Sequence, residues 1–267
     1  MNDNTTPSWS ALSVRAGLTA AVRHVSIDNP PLGVLNQVVR KELGSFFLSV
    51  QDDPNVRCIV LDSGPRSFCA GADLSEYPQR FDPAVARAHV HNAHRMILSL
   101  VELDVPIIAS IRGACMGGGL ELALGCSYRV ATRSAMLALP EVKRGAWPGT
   151  GGIVLLTRQI RPSLAKRLLY TGESLDAATA LALGVIDEVV DDEALDERVR
   201  ALAGEIAAQP KSSIQAMARL ADRTFRSEFR AHLEYEAECF VHAYQLPAAR
   251  EGYEAFFEKR APQWRQD

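Results

Sequence analysis

The chain has 267 residues, with 29 Lys and Arg against 32 Asp and Glu, a formal charge of −3. That near balance argues against a general nucleic-acid binder, which carries a basic surplus. Hydrophobic residues at 47% and charged residues at 23% exclude a disordered chain and leave ample side chain for a buried core. No run of about 18 apolar residues is present, so no membrane-spanning helix is expected. The first stretch, MNDNTTPSWSALSVRAGL, has no basic run followed by apolar residues and is poor in Arg. Neither a secretory nor an organelle address is expected from it, and the expected location is the cytoplasm. Cys58, Cys69, Cys115, Cys126 and Cys239 are odd in number and form no CxxC pair. Reduced thiols are the expectation, with no disulfide and no zinc site.

Residues 1–10 are polar, and the first predicted strand is Ala20 to Ile27, closed by the turn Asp28-Asn29-Pro30-Pro31. Asn36 then caps a predicted helix that carries Phe46, Phe47 and Val50. Val56 to Leu61 is a short apolar run rich in β-branched residues, which predicts a buried strand. Ser63 to Leu74 reads as a loop. Asp82 and Pro83 open a long amphipathic helix to Leu103. Pro106 to Ile111 is a second buried strand, followed by a glycine-rich turn from Gly113 to Gly119 and a helix through Ala123. Tyr128 to Ala131 is the next strand. This alternation predicts an α/β fold with mostly parallel pairing. From Pro162 the apolar spacing becomes helical almost throughout, with one further short strand at Val185 to Val190. The expected division is an α/β core over 11–195 and a helical region over 196–267.

Three clusters could carry chemistry. The first is Phe68-Cys69-Ala70-Gly71-Ala72-Asp73-Leu74, where small residues after a strand let a ligand approach the backbone, unless the loop is merely tight. The second is Gly113-Ala114-Cys115-Met116-Gly117-Gly118-Gly119-Leu120-Glu121. Glycines before a helix leave N–H groups unpaired, and the positive end of the helix dipole reinforces them. Such a site suits an anion, or an oxygen that becomes anionic during reaction. Close helix packing is the other reading of those glycines. Glu121 falls in the first turn of that helix, where a carboxylate also suits the dipole without any further role. The third cluster is Leu139-Pro140-Glu141-Val142, followed by Gly145-Ala146-Trp147-Pro148-Gly149-Thr150-Gly151-Gly152. A carboxylate among apolar neighbours such as Met136, Leu137 and Leu139 is raised in pKa and can serve as an acid near neutral pH. A surface glutamate at a helix start is the plain alternative. The glycine run lacks the Lys-Ser/Thr ending of a P-loop and the spacing of a dinucleotide fingerprint.

The order FCAGADL, GACMGGGLELAL, LPEV with WPGTGG, then EGYEAFFEKR resembles the crotonase family of enoyl-CoA hydratases and isomerases. The likeness runs from about Ile27 to the end, and the motifs are specific jointly rather than singly. It implies a spiral of ββα units with a helical C-terminal trimerisation region, in a homotrimer or a hexamer built as a dimer of trimers. It implies an acyl-CoA substrate, no separate cofactor and no metal, since coenzyme A is part of the substrate. By resemblance, Ala70 and Gly118 are the backbone donors of an oxyanion hole, and Glu121 and Glu141 are the catalytic pair. By the same resemblance Gly71, Ala72, Asp73 and Leu74 wrap the adenine and pantetheine parts of coenzyme A, Val34 and Leu35 match another stretch lining that pocket, and Gly117 belongs to the substrate-binding set. Phe256 and Lys259 match residues that contact the coenzyme A nucleotide, often from a neighbouring subunit.

The reaction so implied is hydration of a 2-enoyl-CoA. Glu121 positions and activates water, and Glu141 transfers a proton at the α-carbon. Two fixed N–H donors stabilise the enolate oxygen, each typically worth about 3–4 kcal/mol. A Δ3-Δ2-enoyl-CoA isomerase, or a hydrolase or lyase of the same family, is the alternative. Two departures bear on the substrate: PPLGVLN lacks a lysine that some hydratases carry, and Trp147 replaces a smaller residue in the acyl pocket. His91 and His94 share a helix face but lack a third metal ligand at useful spacing, although one histidine of that helix could line the pocket. Cys69 and Cys115 read as packing residues, and no G-x-S-x-G elbow exists. The Arg87 to Arg95 helix is too poor in lysine for the RNA-binding role found in some relatives.

Overall fold

The computed structural model describes residues 8–17 and 19–264. Strands β1 (Leu12–Ala16) and β2 (Val22–Ile27) lead into helix α1 (Gln37–Gln51). Three ββα turns follow. The first is β3 (Cys58–Ser63), β4 (Ser67–Cys69) and α2 (Pro83–Val101). The second is β5 (Ile107–Ile111), β6 (Ala114–Met116) and α3 (Gly118–Gly125). The third is β7 (Tyr128–Thr132), β8 (Met136–Ala138) and α4 (Gly152–Gln159). Next come α5 (Pro162–Thr171), β9 (Leu175–Asp176), α6 (Ala177–Leu183) and β10 (Glu188–Val190). Helices α7 (Leu195–Ala207), α8 (Lys211–Ala243) and α9 (Pro247–Phe257) complete the described chain.

Each turn of this spiral gives its first strand to one sheet and its second to another. The larger sheet runs β1-β2-β3-β5-β7-β10, parallel throughout except for β1. The smaller runs β4-β6-β8-β9, with only β9 antiparallel. Parallel strands are stable when both faces are covered, and here they are. One face of the large sheet presents Ile59, Leu61, Ile107, Ala109 and Ile111 to a core shared with α1, α2 and α3. The other presents Cys58, Val60, Ile108 and Val130 to Leu195, Val199 and Ala203 of α7. Asn36 caps α1 as expected, its Oδ1 accepting the Val39 N–H at 2.9 Å. Asp82 caps α2 through the Ala84 N–H at 2.8 Å.

The α/β spiral with a helical C-terminal part is the expected fold. The differences are local, and most come from the shortness of the elements. Strands β4, β6 and β8 have three residues each, too few for a period to register; β4 and β6 occupy stretches read as loop and turn, and β8 a stretch for which no element was expected. Strand β1 is an edge strand with a largely exposed pattern, so its alternation was weak. These small strands nonetheless position the site. Strands β4 and β6 pair through Cys69 and Cys115 and end at Ala70 and Gly117, the two loops of interest.

Helix α3 meets β4 at van der Waals limits. A methyl group on Gly119 would lie 2.4 Å from the Cys69 carbonyl oxygen and 2.6 Å from its Cβ. That neighbour is backbone in a sheet and cannot swing away. Gly119→Ala is expected to cost roughly 1–3 kcal/mol of stability, as overpacking does, read as a lower urea midpoint at unchanged slope.

Candidate active site

The glycine triplet divides its labour. Gly117 has φ +52° and ψ −125°, a conformation that favours glycine, and its N–H donates to the Ala138 carbonyl at 2.8 Å. Gly118 opens α3, so its N–H has no partner within the helix. Gly119 serves the close packing on β4. The loop after β4 lies alongside, its Leu35 bridging Ala72 in parallel fashion. Here one expectation is corrected. The Ala70 N–H is already spent, donating to the Leu32 carbonyl at 3.1 Å. The Leu35 N–H bonds to Gly71 O at 2.8 Å and the Asp73 N–H to Leu35 O at 3.3 Å, which leaves the Ala72 N–H between them with no partner among the described residues. Ala72 N lies 3.8 Å from where a Gly118 Cβ would sit. The two unspent donors that the fold brings together are therefore Ala72 and Gly118.

Both expected glutamates come to the same place. A Cβ on Gly117 would lie 2.5 Å from Glu141 Oε1, and one on Gly118 would lie 3.9 Å from Glu121 Oε2. Consecutive glycines thus face one carboxyl each. Glu121 is 2% exposed, and its Oε1 accepts N–H bonds from Thr150 at 2.7 Å and Gly152 at 2.8 Å. Burial pushes its pKa well above the usual carboxylate range, and the nearby Glu141 and Glu236 add to this against the pull of those two donors. Glu141 opens the 3-10 turn Glu141–Arg144. Its Oε2 is buried without a hydrogen-bond partner among the described residues. Burial pushes this group up to about 7, against its own backbone N–H and the Arg144 guanidinium.

The sequence reading missed what holds Glu121. Gly151, between its two donors, gives its N–H to Glu236 Oε1 at 2.9 Å. Glu236 lies on α8, far away in sequence, and is buried against His94 Nε2 at 3.0 Å and His232 Nε2 at 3.5 Å. Burial alone would raise the Glu236 carboxyl; the two histidines and the Gly151 N–H together outweigh it and hold the group below its usual value. His94 is therefore a partner of Glu236, neither a metal ligand nor a lining residue. No group of three or more His, Cys, Asp or Glu residues that could hold a metal occurs among the described residues.

A cavity of about 60 Å³ is lined by Ala70, Gly71, Ala72, Leu74, Gly117 and Glu141, with Tyr77, Arg80, Arg144, Ala146 and Tyr244 completing it. Trp147 does not line it and packs instead against the apolar cluster that contains Tyr77, Phe240 and Tyr244. Asp73 caps the short turn Leu74–Glu76 through the Ser75 N–H at 2.9 Å. Val34 accepts a hydrogen bond from Asn29 at 2.7 Å, and Leu35 is buried beside Gly118. Phe256, 48% exposed, and Lys259 sit around the end of α9 and do not line the cavity, although the Phe256 ring lies 5.2 Å from the guanidinium of Arg144 in its wall. Cys69 and Cys115 are fully buried, and burial pushes the Cys69 thiol up to about 12, as packing residues behave.

A carboxyl raised in the folded state stabilises most where both states are protonated. Its contribution is lost as pH rises from the unfolded value, near 4.5, through about 7. Glu141→Gln is expected to be more stable than the parent at pH 8 by on the order of 1–3 kcal/mol, one pKa unit being worth about 1.4 kcal/mol. The gap should close toward pH 4.5, read from urea unfolding at the two pH values.

The enoyl-CoA hydratase/isomerase family profile matches residues 17–267. A probable enoyl-CoA hydratase of Bacillus subtilis is 32% identical, over 96% of this chain and 99% of that protein. The crotonyl-CoA hydratase of Syntrophomonas wolfei is 31% identical, over 86% and 88%. Among solved structures, carnitinyl-CoA hydratase from Mycobacterium avium superposes with a TM-score of 0.84 at 33% identity, over 96% and 99%. Matches of this length and identity, carried by a family profile that spans nearly the whole sequence, place the chain in the enoyl-CoA hydratase/isomerase family.

Proposed function

We propose that this protein hydrates trans-2-enoyl-CoA by syn addition of water, giving a 3-hydroxyacyl-CoA. The observation that carries this reading is the pair of carboxyls over Gly117 and Gly118, beside two unspent N–H groups. The thioester oxygen accepts from Ala72 and Gly118, at the positive end of α3. Charge moves onto that oxygen as water oxygen bonds to the β-carbon. Glu121, with Oε1 fixed by Thr150 and Gly152, orients the water through Oε2 and takes one of its protons. Glu141 gives its proton to the α-carbon, for which a group titrating near 7 is well matched. Exchange with solvent then returns each carboxyl to its starting state.

A second reading has one observation in its favour. Burial and the neighbouring Glu141 and Glu236 carboxyls push Glu121 upward, toward its neutral form. Glu141 alone would then shuttle a proton between two carbons, which is Δ3-Δ2 isomerisation. Product analysis with 3-enoyl-CoA against 2-enoyl-CoA separates the two.

Assembly belongs to the same proposal. Met217 and Leu220 on the outer half of α8 are 61% and 75% exposed, which suits burial by further copies in a trimer or hexamer. Four buried free thiols suit a reducing compartment such as the cytoplasm.

Loss of the conjugated thioester absorbance of crotonyl-CoA measures hydration directly. Glu141→Gln and Glu121→Gln are each expected to lower kcat by about 10²–10⁴, the usual span for a general acid or base. Parental activity in Glu141→Gln sinks the proposal. In the parent, kcat/KM for hydration is expected to fall above about pH 7, as Glu141 loses the proton that it must donate. Light scattering is expected to give a mass that is a multiple of three times the 29.1 kDa chain.

A further inference from the structure

The cavity wall carries a cation that the hydration chemistry does not use. Arg80 sits in the 3-10 turn Pro78–Phe81, and its side chain is 4% exposed. Its Nη1 donates to the Tyr244 hydroxyl at 3.1 Å, and Nη2 reaches the Asp73 carbonyl only at 3.5 Å. Its Nε is buried with no hydrogen-bond partner among the described residues. The nearest carboxylate oxygen, Glu76 Oε2, is 3.8 Å away and is already held by Arg40 at 2.7 Å. The other oxygen of Glu76 accepts the Gln37 N–H at 2.8 Å. Two buried guanidinium groups thus draw on one carboxylate, and Arg40 holds it more closely.

The rest of the wall has the same character. Tyr77 and Tyr244 present their rings to Arg80 at 5.6 and 5.8 Å. Arg144 adds a second guanidinium to the lining, over the Phe256 ring at 5.2 Å. Against these two guanidinium groups the lining carries one acid, Glu141. A buried cation whose counter-ion is 3.8 Å away and shared with Arg40 is costly, and a hydrocarbon tail placed against it would leave that cost unrelieved. An anion would complete it with charge-assisted hydrogen bonds. Glu141, which the proposed reaction sets against the α-carbon, lines this cavity together with Ala72 and Gly117, so the cavity adjoins the reacting carbons. A group entering here is therefore acyl.

We propose that Arg80 is a specificity-determining residue for a short acyl-CoA whose acyl group ends in a carboxylate, bound in the cavity between Glu141, Tyr77 and Tyr244. The proposal rests on the reading of this site as an enoyl-CoA site.

Three trans-2-enoyl-CoA esters of matched length, ending in methyl, hydroxymethyl or carboxylate, test it in the parent protein. The carboxylate ester is expected to show at least tenfold higher kcat/KM than the methyl ester. Arg80→Met should lower that ratio at least tenfold, chiefly through KM, and Arg80→Lys should restore part of it. A parent that prefers the methyl ester, or a ratio unmoved in Arg80→Met, overturns the proposal. Calorimetric binding of the matched saturated esters gives the same ratio without turnover. Should no ester be hydrated, the hydratase reading falls while the binding ratio still decides this one. Should the methyl ester be hydrated and the carboxylate ester neither bind nor react, only this one falls.

Discussion

Two backbone N–H groups gripping one buried carboxylate oxygen hold the site together. Thr150 and Gly152, at the entrance to α4, close on Glu121 Oε1, which projects from the first turn of α3. Without them Glu121 would be a buried acid with nothing to satisfy it. With them, one oxygen is fixed and the other is left toward Gly118. The same contacts join consecutive turns of the spiral at the place where both helices begin. A buried side chain thus does for the two helix entrances what an exposed capping residue does elsewhere.

Electrostatics around this point is a gradient of acids. Hydrogen bonds from two histidines and the Gly151 N–H hold Glu236 below its usual value, while burial pushes Glu121 well up and Glu141 up to about 7. Three carboxyls in one apolar region repel one another, and the fold tolerates them by giving each a different environment. Glu236 faces imidazoles, Glu121 faces amides, and Glu141 keeps one oxygen bare. Groups so separated in proton affinity can divide the work of giving and taking a proton.

Much of this was legible in the amino-acid order. The long buried strands and capped helices follow from β-branched runs and from Asn36 and Asp82, and the glycine triplet marks a helix entrance with open donors. The choice of Ala72 over Ala70 was not legible. Both are alanines in one loop, and only the register of that loop against Leu32 and Leu35 decides whose N–H is consumed. Glu236 was invisible for a different reason. It lies among the exposed polar residues of a helix, and nothing in its own neighbourhood marks it as buried 85 residues away from Gly151. Arg80 was hidden in the same way, since an arginine two residues after Pro78 reads as surface until Glu76 and Tyr244 surround it.

Helix α8 runs 33 residues without a glycine or proline, so it behaves as a single rod of about 50 Å. All of its buried residues lie from Phe229 onward, where it meets α2 and supports Gly151 through Glu236. Its outer half touches the body through Arg219 and Arg226, both paired with the buried Asp104, through Asp222 paired with Arg158, and through Phe225 against the core. A rod with no joint cannot tilt at one end alone. Whatever settles against the outer turns fixes the angle at which Glu236 is presented, and the apolar flank of the helix and the grip on Glu121 are geometrically one degree of freedom.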